Sequence, residues 1–340
     1  MAEADAVRRR GSSPVAARLL ILADDFTGAC DAAGAFGAHR VTRVFTRVPE
    51  YWPDATEVLS VDLDVRERSD ADASRAMSHA INTLVTRGVD PRIYVKIDST
   101  LRGPIAGLVE GALGASGRSL AVVAPAFPEQ GRHIRHGRLA VDGQVGPSLN
   151  DLLGSLPIRV VDSITEAARS AVEHPEWLVV GSAGLARQLA PPHQPPRLAV
   201  TGQGPVLIVA GSPTPITREQ IEHVAALNGV EVLATPPTDT RDTGQAAADL
   251  AQTVAEWAER HTVAPRVVLL TGGATAREVS HRLGATSLRL RGEVEPGIPV
   301  GTLEDGLWHG VTVVTKAGGF GTPETLLDVV RALGVSSPTG

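Results

Sequence analysis

The chain has 340 residues, a formal net charge of −6, and 43% hydrophobic, 21% charged and 3% aromatic residues. This is a globular composition with enough apolar content for a sizeable core, and at roughly 150 residues per domain its length suggests about two domains. It excludes a largely disordered chain, a basic field for nucleic acid and an aromatic platform for base stacking. With one cysteine, Cys30, there is no internal disulfide and no cysteine-built zinc site, so a reducing, cytoplasmic setting is expected. Residues 1–17 lack the apolar stretch of a secretory signal and read as a disordered tail. No run of ~18 apolar residues predicts a membrane span.

In chain order, short β-branched runs predict buried parallel strands at Arg18–Ala23, Val41–Phe45, Val58–Val61, Ile93–Ile97 and Leu120–Ala124. Helices are predicted through Ala38 and over Asp70–Arg87. A stretch with four prolines in six residues, 191–196, blocks helix and central strand and reads as a stiff connector. The same style then resumes at Val206–Ala210, Val267–Leu270 and Val311–Thr315. The expected fold is α/β with two domains, 18–190 and 204–336, joined by a Pro-rich linker over 191–203. Each domain would be a mostly parallel sheet flanked by helices, with the active site in the cleft between them.

Ligands of open α/β sheets bind at the carboxyl ends of strands, so the turns there are the candidates for chemistry. In the first half Asp24 and Asp25 end a strand just before Gly28, and adjacent carboxylates there suit hydroxyl binding, base catalysis or a metal. Lys96, Asp98, Ser99, Thr100 and Arg102 follow the next such strand. Glu129 and Arg132 follow a third. Cations beside an Asp suit a small polyhydroxy acid, while a surface ion-pair cluster is the plainer reading. In the second half the turns at Ser212, at Gly272, Gly273, Ala274 and Thr275, and at Lys316, Gly318 and Gly319 each lead from strand to helix. Glycines let backbone approach a ligand, and helix N-termini attract anions, so three such turns point to a phosphate or nucleotide site. Thr217 with Gln220 reads as a capping box, and Thr322 with Pro323 as the start of the last helix. Neither a dinucleotide fingerprint nor a P-loop is present. Only Lys96 and Lys316 are lysines among 32 basic residues, which marks both positions. His133 and His136 lack zinc spacing, Trp257 and Trp308 read as core or interface, and Cys30 as a small buried residue.

The segments ADDFTGACD, KIDSTLRG, APAFPEQGR, GSAGLA, TGGATA, EPGIP and KAGGFG occur in an order that resembles the four-carbon acid sugar kinase family, over about residues 18–333. The resemblance implies ATP-dependent phosphorylation of the terminal hydroxyl of a threonate, erythronate or 3-oxo-tetronate, with the acid on the N-terminal domain and ATP, carrying Mg²⁺, on the C-terminal one. It implies catalytic roles for Asp24 and Asp25, and acid binding by Lys96, Asp98, Ser99, Arg102, Glu129 and Arg132. ATP contacts fall on Ser212, Gly272, Gly273, Ala274, Thr275, Gly318 and Gly319, with Lys316 offsetting charge; the metal ligands are left open. The family's GGET stands here as GGAT, its KSGNFG as KAGGFG and its GRTT as GRHI, and the 142–161 segment is shorter. Closure of two domains on a short linker would exclude water. The partners expected are a small sugar acid and, in oligomeric state, a homodimer, with no nucleic acid and no membrane. Two other classes compete: a non-catalytic nucleotide- or sugar-acid-binding protein on the same fold, and an α/β dehydrogenase.

Overall fold

In the computed structural model, which describes residues 18–85, 89–141, 143–192, 200, 202–236 and 242–334, a single sheet of thirteen strands carries the fold. Across the sheet its order is Val230–Ala234, Val206–Ala210, Val267–Thr271, Thr312–Lys316, Ile298–Glu304, Ser287–Glu295, Thr42–Phe45, Val58–Asp62, Leu19–Ala23, Arg92–Lys96, Leu178–Gly181, Ala121–Ala124 and Ile158–Val160. The outer parts on both sides are parallel. Their inner strands are nearly all-apolar and buried on both faces, as helix-covered parallel strands must be, while the edge strands Val230–Ala234 and Ile158–Val160 are half-buried to exposed. The expected tail and most of the expected connector (residues 1–17, 193–199 and 201) lie outside the described residues.

The two halves are not separate sheets. An antiparallel hairpin, Ser287–Glu295 with Ile298–Glu304, pairs on one side with Thr312–Lys316 and on the other with Thr42–Phe45. Its turn is the Pro296–Gly297 pair, with Gly297 at φ 90°, the backbone a type II turn demands. Four register pairs, Ser287↔Phe45 to Leu290↔Thr42, sew the halves together. Ion pairs reinforce the seam: Arg43 Nε lies 2.8 Å from Glu304 Oε2, and Arg187 reaches Asp31 and Glu293. A swing of one half against the other would break this ladder, so the expected closure of two domains on a short linker has no free joint here.

The helix Phe26–Gly34 lies along that seam, touching strands of both halves, and all its residues but Asp31 are buried. Its run of small side chains is what lets it fit: a β-carbon on Gly34 would stand 3.0 Å from Pro299 Cβ. It ends four residues earlier than the sequence predicts. Trp257 meets Trp308 edge-on at 5.9 Å inside the core. A small antiparallel sheet, Arg132–Arg135, Arg138–Val141 and Gln144–Ser148, stands apart from the main one. No described helix is long and apolar enough to cross a membrane.

Candidate active site

Strand ends from both halves open into one cavity of about 1230 Å³. It brings together Asp24, Asp25, Lys96, Asp98, Ser99, Arg102 and Arg132 from the first half, and Ser212, Gly272, Gly273, Ala274, Thr275, Lys316, Gly318 and Gly319 from the second. Glu129 is not among them. It sits on the 3₁₀ turn Pro128–Gln130, which points it to solvent and leaves Gln130 on the cavity wall.

The acidic pole is organised by Arg66, which sequence reasoning missed because it follows its strand at an unremarkable Val-Arg-Glu. Arg66 Nε and Nη2 donate to Asp24 at 2.7 and 2.9 Å, while Nη1 and Nη2 donate to Asp25 at 2.7 and 2.9 Å. Asp25 also caps the helix Phe26–Gly34, accepting Gly28 N–H at 2.8 Å, and accepts the Thr27 hydroxyl at 2.8 Å. All four of its acceptor positions are therefore filled. Gly28 has to be glycine, because a β-carbon there would lie 2.5 Å from Asp25 Oδ1 and 2.8 Å from Lys96 Nζ. Burial pushes the Asp24 carboxyl up, against the pull of the Arg66 guanidinium. Although its own burial would lower it, Arg66 is held firmly protonated by Asp25 and Asp24. Asp98 is held well below the usual carboxylate range: burial acts the other way, but hydrogen bonds from Arg102 and Thr100 and the charge of Arg66 prevail. Arg102 itself is mostly exposed, and Arg132 donates to Ser99.

Two further carboxylates enter the cavity, Asp62 from the end of the strand Val58–Asp62 and Asp64 from the segment after it. Asp62 is 3% exposed, its Oδ1 accepts Asp64 N–H at 2.8 Å, and burial pushes it up to about 8. Asp64 adopts a left-handed φ of 52° and pairs with Arg277 of the opposite half.

The second pole is built from turns rather than charges. The helix Gly273–Arg282 has no side-chain cap, and its entry residue Gly272 takes φ 101°, leaving a positive helix end open toward the cavity. The Lys316 turn is drawn back into the protein by its own carbonyls. Lys316 Nζ donates to Ala317 O at 2.8 Å and Phe320 O at 3.0 Å, Thr214 and Thr217 donate to Gly318 O, and Gln220 donates to Phe320 O and Thr322 O. Burial pushes the Lys316 ammonium down to about 7, while those carbonyl acceptors favour its protonated form. Lys316 thus holds the turn's shape instead of standing free to offset charge. Thr217 and Gln220 are likewise not a capping box: their helix starts at Pro215, and both face the Lys316 turn. The last helix begins at Thr325, with Thr325 Oγ1 accepting Thr322 N–H. Asp242, Thr243 and Gly244, at the start of the helix Thr243–Arg260, also line the cavity and carried no sequence signal.

The poles nearly touch. A β-carbon on Gly273 would lie 3.0 Å from Asp25 Oδ2 and 3.2 Å from the Thr27 hydroxyl. Cys30, on the same helix as Thr27, is buried and its thiol is pushed up by that burial, which leaves it inert.

Comparison with known proteins finds one family model in each half of the chain. A family model described as a sugar-binding N-terminal domain matches residues 19–152, and one described as a nucleotide-binding C-terminal domain matches residues 259–326. The D-threonate kinase of Bordetella bronchiseptica is 30% identical, over 92% of this chain and 96% of the relative; that of Salmonella typhimurium is 27% identical, over 92% and 97%. A solved Salmonella typhimurium LT2 protein, 19% identical, superposes with a TM-score of 0.70 over 92% of this chain and 99% of its own, and so shares the fold. The mostly parallel α/β architecture and the sequence relatives agree on the class. The chain belongs to the four-carbon acid sugar kinase family.

Proposed function

We propose that this chain is an ATP-dependent kinase that phosphorylates the terminal hydroxyl of a four-carbon sugar acid, with D-threonate as the leading substrate. The observation that carries the reading is the approach of the uncapped Gly273 helix to Asp25, which puts an anion-binding helix end against a carboxylate in a shared cavity. The reading also rests on the family, whose two long-matching members above are D-threonate kinases.

Phosphoryl transfer asks mainly for alignment and charge neutralisation. The Gly272–Thr275 turn, the Lys316–Gly319 turn and Ser212 cradle the phosphates, with backbone N–H groups as donors. Lys96, Arg102 and Arg132 receive the acid's carboxylate, and Asp98 and Ser99 its hydroxyls. Asp25 orients the attacking hydroxyl and not Asp24, because Asp24 is 1% exposed while Asp25 Oδ2 faces Gly273. The Thr27 hydroxyl now on Oδ2 holds the place of the substrate hydroxyl. Among the described residues no group of three or more His, Cys, Asp or Glu is arranged to hold a metal, and the nearby carboxylates are engaged by arginines. That donor set fits Mg²⁺ arriving on the nucleotide, where it neutralises phosphate charge while keeping several waters. Residues 18–190 form the acid side in this scheme and residues 204–336 the nucleotide side.

The test is ADP release from MgATP on adding D- or L-threonate, D- or L-erythronate, or a 3-oxo-tetronate. A response to one acid supports the reading. Nucleotide binding with silence across the panel favours a binding protein on the same fold.

A further inference from the structure

The cavity spans the seam, and side chains tie the nucleotide-side turns to the acid side. One residue of the Gly273–Arg282 helix does: Arg277 pairs with Asp64 and lies, through Nε, 3.7 Å from Asp62 Oδ2. That second contact is half made. Arg277 Nε and Asp62 Oδ2 are both buried and neither has a hydrogen-bond partner. A buried donor and a buried acceptor left facing each other just beyond bonding distance favour any movement that joins them. Less than ~1 Å would do it, since an N–H···O bond forms at about 2.9 Å.

The direction of that movement matters. Asp62 and Asp64 belong to the segment that ends in Arg66, and Val65 N–H and Arg66 N–H both donate to Asp24 O. Asp64 is fixed there at a left-handed φ of 52°. The segment therefore carries the Arg66 clasp of the acid pole at one end and the partners of Arg277 at the other. Drawing Arg277 onto Asp62 draws the Gly273 helix toward the segment that carries the Arg66 clasp. The seam ladder forbids a domain swing, and this local closure needs none.

We propose that Arg277 is a positioning residue that couples the two ligand sites: its contact with Asp62 completes only when acid and nucleotide occupy the cavity together, so each tightens the binding of the other. The inference rests on the kinase reading above. It differs from that reading in assigning no substrate contact to Arg277.

The experiment measures the Kd of a non-hydrolysable ATP analogue (β,γ-imido-ATP with Mg²⁺) with and without a saturating amount of the acid that supports ADP release. For the wild type the acid tightens the analogue about tenfold, within the usual range of coupling. Arg277→Lys, which keeps one cation for Asp64 but cannot also serve Asp62, brings that ratio close to one while the analogue's Kd without acid changes little. Asp62→Leu does the same from the other side of the seam. A wild-type ratio near one, or variants that keep the wild-type ratio, overturns the proposal. Equal weakening with and without acid also overturns it, because Arg277 would then be a direct nucleotide ligand. An analogue that does not bind at all, or the absence of any acid-dependent ADP release, overturns the kinase reading itself and this inference with it.

Discussion

Gly273 faces Asp25 across the seam, and a β-carbon at Gly273 would lie 3.0 Å from Asp25 Oδ2. The glycine is thus needed for the approach of the two poles as much as for the approach of a phosphate. Gly273→Ala is expected to push the helix N-terminus off Asp25 by a few tenths of an ångström, and Gly273→Val by more. Misplacement on the ~1 Å scale costs about a hundredfold in turnover. The valine variant should lose turnover at that level or beyond, and steady-state kinetics at saturating acid checks it; wild-type kcat in Gly273→Val would remove this turn from the reacting centre.

Arg66 bonds Asp24 and Asp25 together, and Asp24 is 1% exposed. Arg66→Met leaves a buried carboxylate without its partner, a change that costs about 3–5 kcal/mol when a buried pair is broken. Urea unfolding should show that loss alongside the loss of turnover. A variant as stable as the wild type would mean that Asp24 takes up a proton at little cost.

Asp62 gives a pH signature whose sign is fixed. Its carboxyl is raised to about 8 in the folded chain from an ordinary value of 3.8. Between those values the folded state binds the extra proton, so its contribution to stability is fully present below about pH 4 and is lost as pH rises to about 8. Asp62→Asn does not titrate. Its stability relative to the wild type should therefore climb across that window and level off above it. Thermal unfolding of both proteins from pH 4.5 to 8.5 checks this, and a constant or falling difference contradicts it.

Lys316 is expected to act on the nucleotide alone. Lys316→Met takes the ammonium from the carbonyls of Ala317 and Phe320, which keep only the Phe320 N–H and the Gln220 amide; a hydrogen bond to a charged group contributes about 1.5–3 kcal/mol. Nucleotide affinity should fall at least tenfold with acid binding unchanged, as read by calorimetry of each ligand separately. Equal losses for both ligands would point to collapse of the second half instead.

Much of this was legible in the sequence, and the reason is local. Buried parallel strands announce themselves as short apolar runs, and their ends carry the polar and glycine residues, so Asp25, Lys96, Gly273 and Lys316 were found as members of turns. What escaped were relations between distant segments. Ser287–Glu295 alternates apolar and charged residues and turns at a Pro-Gly pair, but nothing local says that it will pair with Thr42–Phe45 and fuse two sheets into one. Arg66, Asp62 and Arg277 belong to no glycine turn, and their importance arises from what lies across the cavity. Glu129 was over-read for the converse reason: it sits within a polar turn, yet a single 3₁₀ turn rotates it outward. Lys316 reads as offsetting phosphate charge because its carbonyl partners lie in its own turn, where spacing alone does not reveal a closed loop.

The central claim is tested most directly by ADP release from MgATP with D-threonate and its four-carbon relatives, for wild type and Asp25→Asn side by side, with nucleotide affinity measured on the same samples. The account predicts a strong response to one acid. It further predicts that Asp25→Asn lowers this response by about 10²–10⁴-fold at nearly unchanged nucleotide affinity. Full turnover in Asp25→Asn, or no acid-dependent ADP release from a wild type that binds nucleotide, would contradict it.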